Sequence, residues 1–529
     1  LTRIDTATGS LYDPVKVANN ISADVARVIQ ENPSALPGVE VELETSRQYT
    51  EGQLFGQLVG YTGRLTAPQY AQLKNQGYLP DDSIGQAGLE ESYEQQLRGQ
   101  YGESTVSVDA AGRPIPGAAS SNTPEVPGES IQLSIDSREQ QYAMQALQFG
   151  LSKAHVTKGV LIAENPQNGQ IVAMASLPTY DDQVFANGIS EADYKKLSND
   201  PNQPLVNKAI SEQYAPGSTF KLVTGTAGLQ SGKITPTSTI ETRPYVQIGG
   251  YRFWDWNKQG FGALNVVQGL GASSDTFFYQ LAQMVGLDTL TTWAQNYGFG
   301  SPTGIDLPGE ATGIVPTAQW AASTIGRALY PGELLYAGIG QGFDAVTPMQ
   351  LVNAYSALAN GGTLYEPHVV SAIRDAHGNV VQQIQPKVIS KLPASQQTLL
   401  TMRMGTRDVV TSQHTQNLVD LPVKVAGKTG TAEFGIPNKY GVLPYHEWFV
   451  GYTPGDPYGG DFSTTDSQLA VVAFVYGADT EGNVATEIAK YYMMLHYGLK
   501  GDPTSSSTPG HLNMWAFNTT NNYFSANNN

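Results

Sequence analysis

The chain has 529 residues, 40% hydrophobic and 15% charged, which is globular composition in a length that exceeds one compact core. Its 47 acidic and 30 basic residues leave a net charge of −17, which excludes nucleic acid as a partner, because counterion release needs clustered Lys and Arg. Cysteine is absent, which excludes disulfides, thiolate nucleophiles and thiolate-bound zinc, and the seven histidines fall in no metal-binding pattern.

No apolar run of about 18 residues is present, so no bilayer-spanning helix is expected. The chain opens at Leu1 without Met or a signal segment, which reads as a trimmed extracytoplasmic part. Residues 1–113 mix polar helices with short strands. Leu54–Tyr61 is apolar, Thr66–Gln76 has helical spacing, and Ile84–Glu90 leads into a helix through Leu97. Residues 114–128, with Pro114, Pro116, Pro124 and Pro127, have the composition of a linker.

A second domain is expected over 129–500. Ser130–Ile135 alternates like a strand, and Ser137–Leu151 has helical spacing. Gly159–Ala163 and Gln170–Ala175 flank Asn165-Pro-Gln-Asn-Gly169, a hairpin signal. A mostly helical middle runs from Phe220 to Met404. Strands follow at Val423–Ala426, Trp448–Tyr452 and Leu469–Val475, then a helix from Val484 to Leu499. Strands at both ends with helices between predict an α+β fold, one antiparallel sheet covered by helices. Residues 501–529 form a Ser/Asn-rich tail, expected to be loosely ordered.

Three short patterns carry chemistry, and all lie after the linker, so the part before it is expected to stand outside the active site. The first is Ala215-Pro-Gly-Ser-Thr-Phe-Lys221. A helix starting near Ser218 would put the Ser218 hydroxyl and the Lys221 amine on one face, a poor nucleophile beside a base. The helix N-terminus adds N–H groups for a developing oxyanion. The bland alternative is a helix start with a solvated lysine. The second is Ser273-Ser-Asp275, where Ser274 or Asp275 could be a helix N-cap, or Ser273 a proton relay with Asp275 orienting Lys221. The third is Ala426-Gly-Lys-Thr-Gly-Thr-Ala-Glu433, expected to follow a strand. There Gly430 would let the strand edge approach a bound peptide, and Lys428, Thr429 and Thr431 would face a substrate carboxylate. A phosphate loop is disfavoured, because Pro422 stands where a Walker-type motif needs glycine.

Ser-x-x-Lys, then Ser-x-Asp, then Lys-Thr-Gly is the motif order of the penicilloyl serine transferases. With Tyr336-Ala-Gly-Ile-Gly-Gln-Gly342, Thr347-Pro-Met-Gln-Leu351 and Glu447-Trp-Phe-Val-Gly-Tyr452, the chain resembles class B penicillin-binding proteins over most of its length. Pro37–Val41, Val59–Tyr61 and Ile84–Glu90 resemble that family's elongated, non-catalytic α+β pedestal, although its usual opening Arg-Gly strand is not readable before Thr50. No glycosyltransferase module is visible ahead of the linker. Asp275 in place of asparagine, and the run ending at Glu90, resemble the elongation-type branch, penicillin-binding protein 2.

The resemblance implies a peptidoglycan D,D-transpeptidase that β-lactams inhibit, working without a cofactor at the extracytoplasmic face of the bacterial membrane. It implies a membrane anchor, a glycan polymerase partner of the shape, elongation, division and sporulation (SEDS) family, and a scaffold protein on the pedestal. Ser218 would attack the penultimate D-alanine carbonyl of a stem peptide while Lys221 takes its proton. The N–H groups of Ser218 and Thr431 would form the oxyanion hole. Ser273 would relay a proton to the departing D-alanine, whose carboxylate Lys428, Thr429 and Thr431 would hold. Some relatives hold a structural zinc through His and Cys; none is expected here. The alternatives are a division-specific transpeptidase, a D,D-carboxypeptidase or β-lactamase, and a non-catalytic β-lactam sensor.

Overall fold

The computed structural model describes residues 17–18, 21–42, 46–105, 107, 115, 121–186, 188–412, 416–436, 443–478, 483–502 and 510–511. Positions 114 and 116–120 of the expected linker, and 503–509 and 512–529 of the expected tail, lie outside the described residues. Packing divides the chain into a unit of residues 1–48 and a unit of residues 49–529. In the first, a helix over Ala23–Glu31 is capped by Ser22, whose hydroxyl accepts from Val25 N at 3.3 Å.

The second unit is built on one five-stranded sheet. Helix α1 (Ser137–Ala154) precedes strands β1 (Gly159–Asn165) and β2 (Gln170–Leu177). Helices α2 (Lys221–Gln230), α3 (Asp275–Val285) and α4 (Pro348–Ala359) form the middle. Strands β3 (Ala426–Glu433), β4 (Tyr445–Tyr452) and β5 (Ala470–Ala478) and helix α5 (Val484–His496) close the chain. The order across the sheet is β3-β4-β5-β1-β2, every pair antiparallel.

The period of two in a strand assigns the sheet's faces. Val160, Ile162, Trp448, Val450, Val472 and Phe474 turn toward the core that holds Phe220, Phe277 and Tyr355. Leu161, Ala163, Phe449, Val471, Ala473 and Val475 turn the other way, onto α1 and α5. Both faces are covered, so these strands read as apolar runs and not as alternation. Helix α4 has all twelve residues buried, and Thr347 and Gln350 form its capping box behind Pro348.

Two readings of the sequence need correction, and one is completed. The strand foreseen at Val423–Ala426 begins only at Ala426, so the Lys-Thr-Gly motif is itself strand. The apolar stretch Leu54–Tyr61, to which the sequence assigned no element, lies mostly in a helix, Gly52–Val59. The middle is interrupted by a hairpin of Tyr245–Ile248 with Tyr251–Trp254, and by short strands at Thr363–Tyr365, Val370–Arg374, Val380–Gln383 and Val388–Lys391. Ser130–Leu133 pairs with Val370–Arg374 in a separate small sheet.

From Tyr49 on, the segment before the linker is built into this body. Leu58 and Leu89 join one core and Leu54 the other. Gln57 Nε2 donates to the carbonyls of Pro178, Pro204 and Val206 at 3.1, 2.7 and 3.1 Å. Tyr93 Oη donates to Asp306 Oδ2 at 2.9 Å.

Glu164, on β1, is fully enclosed, and neither carboxyl oxygen has a hydrogen-bond partner among the described residues; Ser356 on α4 is its polar neighbour. Burial pushes its pKa from 4.5 up to about 8.

Two outcomes follow from this packing. A chain starting at Glu129 loses three buried leucines worth about 1.5–3 kcal/mol each, and should melt far below one starting at Tyr49 by calorimetry. Glu164 keeps its proton in the folded state, so its contribution falls as pH rises from 4.5 toward 8. Glu164→Gln should therefore leave melting unchanged near pH 4, and raise the melting temperature progressively above wild type up to pH 8.

Candidate active site

Ser218 sits on a sharp backbone turn that glycine makes possible. Gly217 has φ +55°, and Gly217–Phe220 forms one turn of 3-10 helix that runs directly into α2 at Lys221. The turn is wedged against β3: a Cβ on Gly217 would stand 2.6 Å from Thr431 O, and one on Gly430 would stand 2.6 Å from Pro216 O. On the other side Gly217 N donates to Gly340 O at 2.8 Å, and a Cβ on Gly340 would overlap Gly217 O. Backbone therefore lies on backbone, with no room for a side chain between. Side chains lock the turn: Thr219 Oγ1 donates to Pro216 O at 2.8 Å, Tyr355 Oη to Thr219 O at 2.8 Å and Trp448 Nε1 to Ala215 O at 3.0 Å.

Lys221 and Lys428 are both fully enclosed. Lys221 Nζ donates to Asp275 Oδ1 at 2.7 Å, Ser273 O at 2.6 Å and, more weakly, Ser273 Oγ at 3.3 Å. Lys428 Nζ donates to the same Ser273 Oγ at 2.8 Å and to Thr429 O at 3.1 Å. Burial holds the Lys428 amine well below the usual lysine range, the Lys221 charge pushes the same way, and Asp275 opposes. Ser273 has φ +50°, an unfavourable conformation for a residue with a side chain. That strain sets its hydroxyl between the two amines.

The second motif serves as both cap and site. Ser274 is the N-cap of α3, its Oγ accepting from Phe277 N at 3.2 Å, while Asp275 faces Lys221. Asp255, absent from the sequence reading, anchors this corner. Its Oδ2 accepts from Ser274 Oγ at 2.7 Å, Thr276 N at 2.9 Å and Thr276 Oγ1 at 2.7 Å, all out of solvent. The exposed Trp256 beside it donates from Nε1 to Ala272 O at 3.1 Å.

The structure thus joins Lys221, Ser273, Asp275 and Lys428 in one network and sets the Ser218 turn against β3. Ser218 is half-buried, and among the described residues no hydrogen bond links its hydroxyl to Lys221. Lys428 is turned inward, Thr429 is half-buried and Thr431 exposed, so of the three only the threonines are open to solvent. Gly430 and Gly217 are glycines because the turn and the strand touch. The supports at Gly340, Tyr355, Trp448 and Asp255 carry no motif of their own; the one sequence signal was that Gly340, Trp448 and the helix bearing Tyr355 lie in the family-like segments.

Residues 159–493 match the penicillin-binding protein transpeptidase domain, and residues 2–133 the penicillin-binding protein dimerisation domain. The chain belongs to the penicillin-binding protein transpeptidases. It is 31% identical over 465 residues to the peptidoglycan D,D-transpeptidase MrdA of Haemophilus influenzae, covering 85% of this chain and 70% of the relative. Penicillin-binding protein 2 of Pseudomonas aeruginosa, solved with the compound WCK 5153, is 30% identical with a TM-score of 0.71, covering 86% of this chain and 91% of that one. Penicillin-binding protein 2 of Helicobacter pylori, solved in complex with MreC, is 25% identical with a TM-score of 0.77, covering 92% of this chain and 87% of that one. The fold is accordingly the penicilloyl serine transferase fold preceded by a pedestal, and the chain is a serine acyl-transferase.

The Asp275 carboxylate, 2.7 Å from Lys221 Nζ, holds that amine beside Ser273. Asp275→Asn is nearly isosteric and removes that charge. Penicillin acylation should slow about tenfold in the variant, measured as acylation rate at one fixed pH; an unchanged rate would contradict the arrangement.

Proposed function

We propose that Ser218 is the acylated nucleophile of this enzyme and that Ser273 carries protons between the two buried lysines. The chain is a peptidoglycan D,D-transpeptidase of the elongation type, acting on cell wall outside the cytoplasm and inhibited by β-lactams. The observation that carries the assignment is Ser273 Oγ lying within hydrogen-bond reach of both Lys221 and Lys428, on the turn that faces Ser218's helix.

The chemistry follows from that placement. Ser273 Oγ bridges the Lys221 and Lys428 amines, so a proton can pass between them. Lys221 then takes the proton of the Ser218 hydroxyl as its oxygen bonds to the penultimate D-alanine carbonyl carbon of a stem peptide. The N–H groups of Ser218 and Thr431, on touching backbones, stabilise the oxyanion. The C–N bond breaks, the leaving D-alanine amine receives a proton by way of Ser273, and Thr429 and Thr431 hold its carboxylate. An amine from a neighbouring stem attacks the ester, Lys221 takes its proton and passes it to the Ser218 oxygen, and Ser218 is released as the cross-link forms. A β-lactam enters the first half of this cycle and remains as an ester on Ser218.

We propose that residues 1–113 act as the pedestal and receive a scaffold protein; the Helicobacter pylori relative is solved in complex with MreC. A SEDS-family glycan polymerase is the proposed partner upstream, and a membrane anchor the proposed tether. Among the described residues no helix is long and apolar enough to cross a membrane.

The direct test is covalent labelling. Fluorescent penicillin should give an adduct that survives denaturation and maps to the peptide containing Ser218, and Ser218→Ala should reduce labelling to background. Labelling that persists in the alanine variant would refute the assignment.

A further inference from the structure

We propose that the outer face of the hairpin Tyr245–Ile248 and Tyr251–Trp254 is a platform for the uncross-linked peptidoglycan strand. Its rings would stack on the sugar units and its cations take the stem-peptide carboxylates. The proposal rests on the transpeptidase reading for its ligand and on its own geometry for its place.

The hairpin closes through Gly249-Gly250, with Gly249 at φ +57°. Alternation gives it two faces. Val246, Ile248 and Phe253 pack on the main core, and Phe253 meets the Tyr279 ring of α3 edge-on at 6.0 Å. The opposite face carries the cross-strand pair Tyr245 and Trp254, ring centres 4.9 Å apart. The Arg252 guanidinium lies 4.6 Å from the Tyr245 ring, and Lys258 Nζ lies 5.2 Å from the Trp254 ring. Cation, ring, ring, cation therefore run in a row, with Trp254 44% exposed.

Stability does not explain this face. Its aromatic surface remains in water, and among the described residues neither Arg252 nor Lys258 is ion-paired, in a chain with 47 acids and 30 bases. An exposed and a half-buried ring flanked by cations suit a ligand with apolar C–H faces and carboxylates, which is the chemistry of a sugar chain bearing acidic peptides. The platform is also fixed to the reaction centre. Asp255, next to Trp254, accepts from Ser274 and Thr276, the immediate neighbours of Ser273 and Asp275. A strand resting here would pass beside the second motif.

The test measures binding of the full chain to three immobilised surfaces: uncross-linked strands bearing stem peptides, the same strands stripped of peptides by an amidase, and phosphatidylglycerol vesicles. Trp254→Ala should weaken both strand forms about tenfold. Arg252→Gln with Lys258→Gln should weaken the peptide-bearing strands more than the stripped ones, which keep a single carboxylate per stem site, and flatten their salt dependence. Penicillin acylation should keep its wild-type rate in every variant. Because the two charge substitutions are at exposed positions, they decide the matter if Trp254→Ala is unstable. Unchanged strand affinity in the charge variant, or a loss seen on vesicles and not on strands, would overturn the proposal. Strand binding through this face without penicillin labelling of Ser218 would refute the active-site assignment and leave the platform standing.

Discussion

Two lysine amines are held out of water beside a single serine hydroxyl, and the rest of the site is arranged to make that tolerable. An enclosed ammonium costs several kcal/mol unless its donors are met. Lys221 meets them with a carboxylate, a carbonyl and a hydroxyl. Among the described residues Lys428 has no carboxylate within hydrogen-bond distance, only the hydroxyl and its neighbour's carbonyl, and burial pushes its pKa well below the usual lysine range. The two amines are thus made unlike by their surroundings: a carboxylate faces Lys221, and burial pushes Lys428 well below the usual lysine range. A hydroxyl between such a pair can pass a proton in either direction, which an acyl transfer with two half-reactions requires.

That arrangement depends on contacts between backbones. The Ser218 turn is squeezed between β3 and the Gly338–Gly342 segment, and the residues where chains touch are glycine: Gly217, Gly340 and Gly430. A methyl group at any of them would push the nucleophile away from the amines or the strand away from the turn. The supports around the turn come from distant parts of the chain. Tyr355 comes from the central helix α4, Trp448 from β4, and Asp255 from the hairpin region. The site is rigid because three layers of the fold hold it at once, which is what preorganised oxyanion stabilisation needs.

The segment from Tyr49 to Leu97 has a related role. Gln57 ties to carbonyls just upstream of Lys208 and Ala209, and Ala209 O accepts from Met349 N at the start of α4. Tyr93 shares Asp306 with the N–H groups of Val369 and Val370. These bonds make the base of the pedestal part of the same solid body as the catalytic sheet, so a load applied there meets packed structure and not a hinge.

The sequence by itself determined the family, the motif order and the sheet. Lys-Thr-Gly, Ser-x-Asp and Ser-x-x-Lys are local patterns, and apolar runs such as Leu469–Val475 and Gly159–Ala163 are local signatures of buried strands. Its readings faltered where a local pattern had two outcomes. The stretch from Leu54, left without an element, is helix because its apolar residues are spaced for one buried face, and Lys-Thr-Gly is strand because β4 pairs with it residue for residue. Only the tertiary structure decided that Lys428 points inward, that Gly430 is small for the sake of Pro216, and that Asp255 supports the second motif. Each of these depends on which side chain comes within a few ångströms of another across more than a dozen residues of sequence. No propensity or periodicity encodes that distance; it arises when the sheet and its covering helices close on one another.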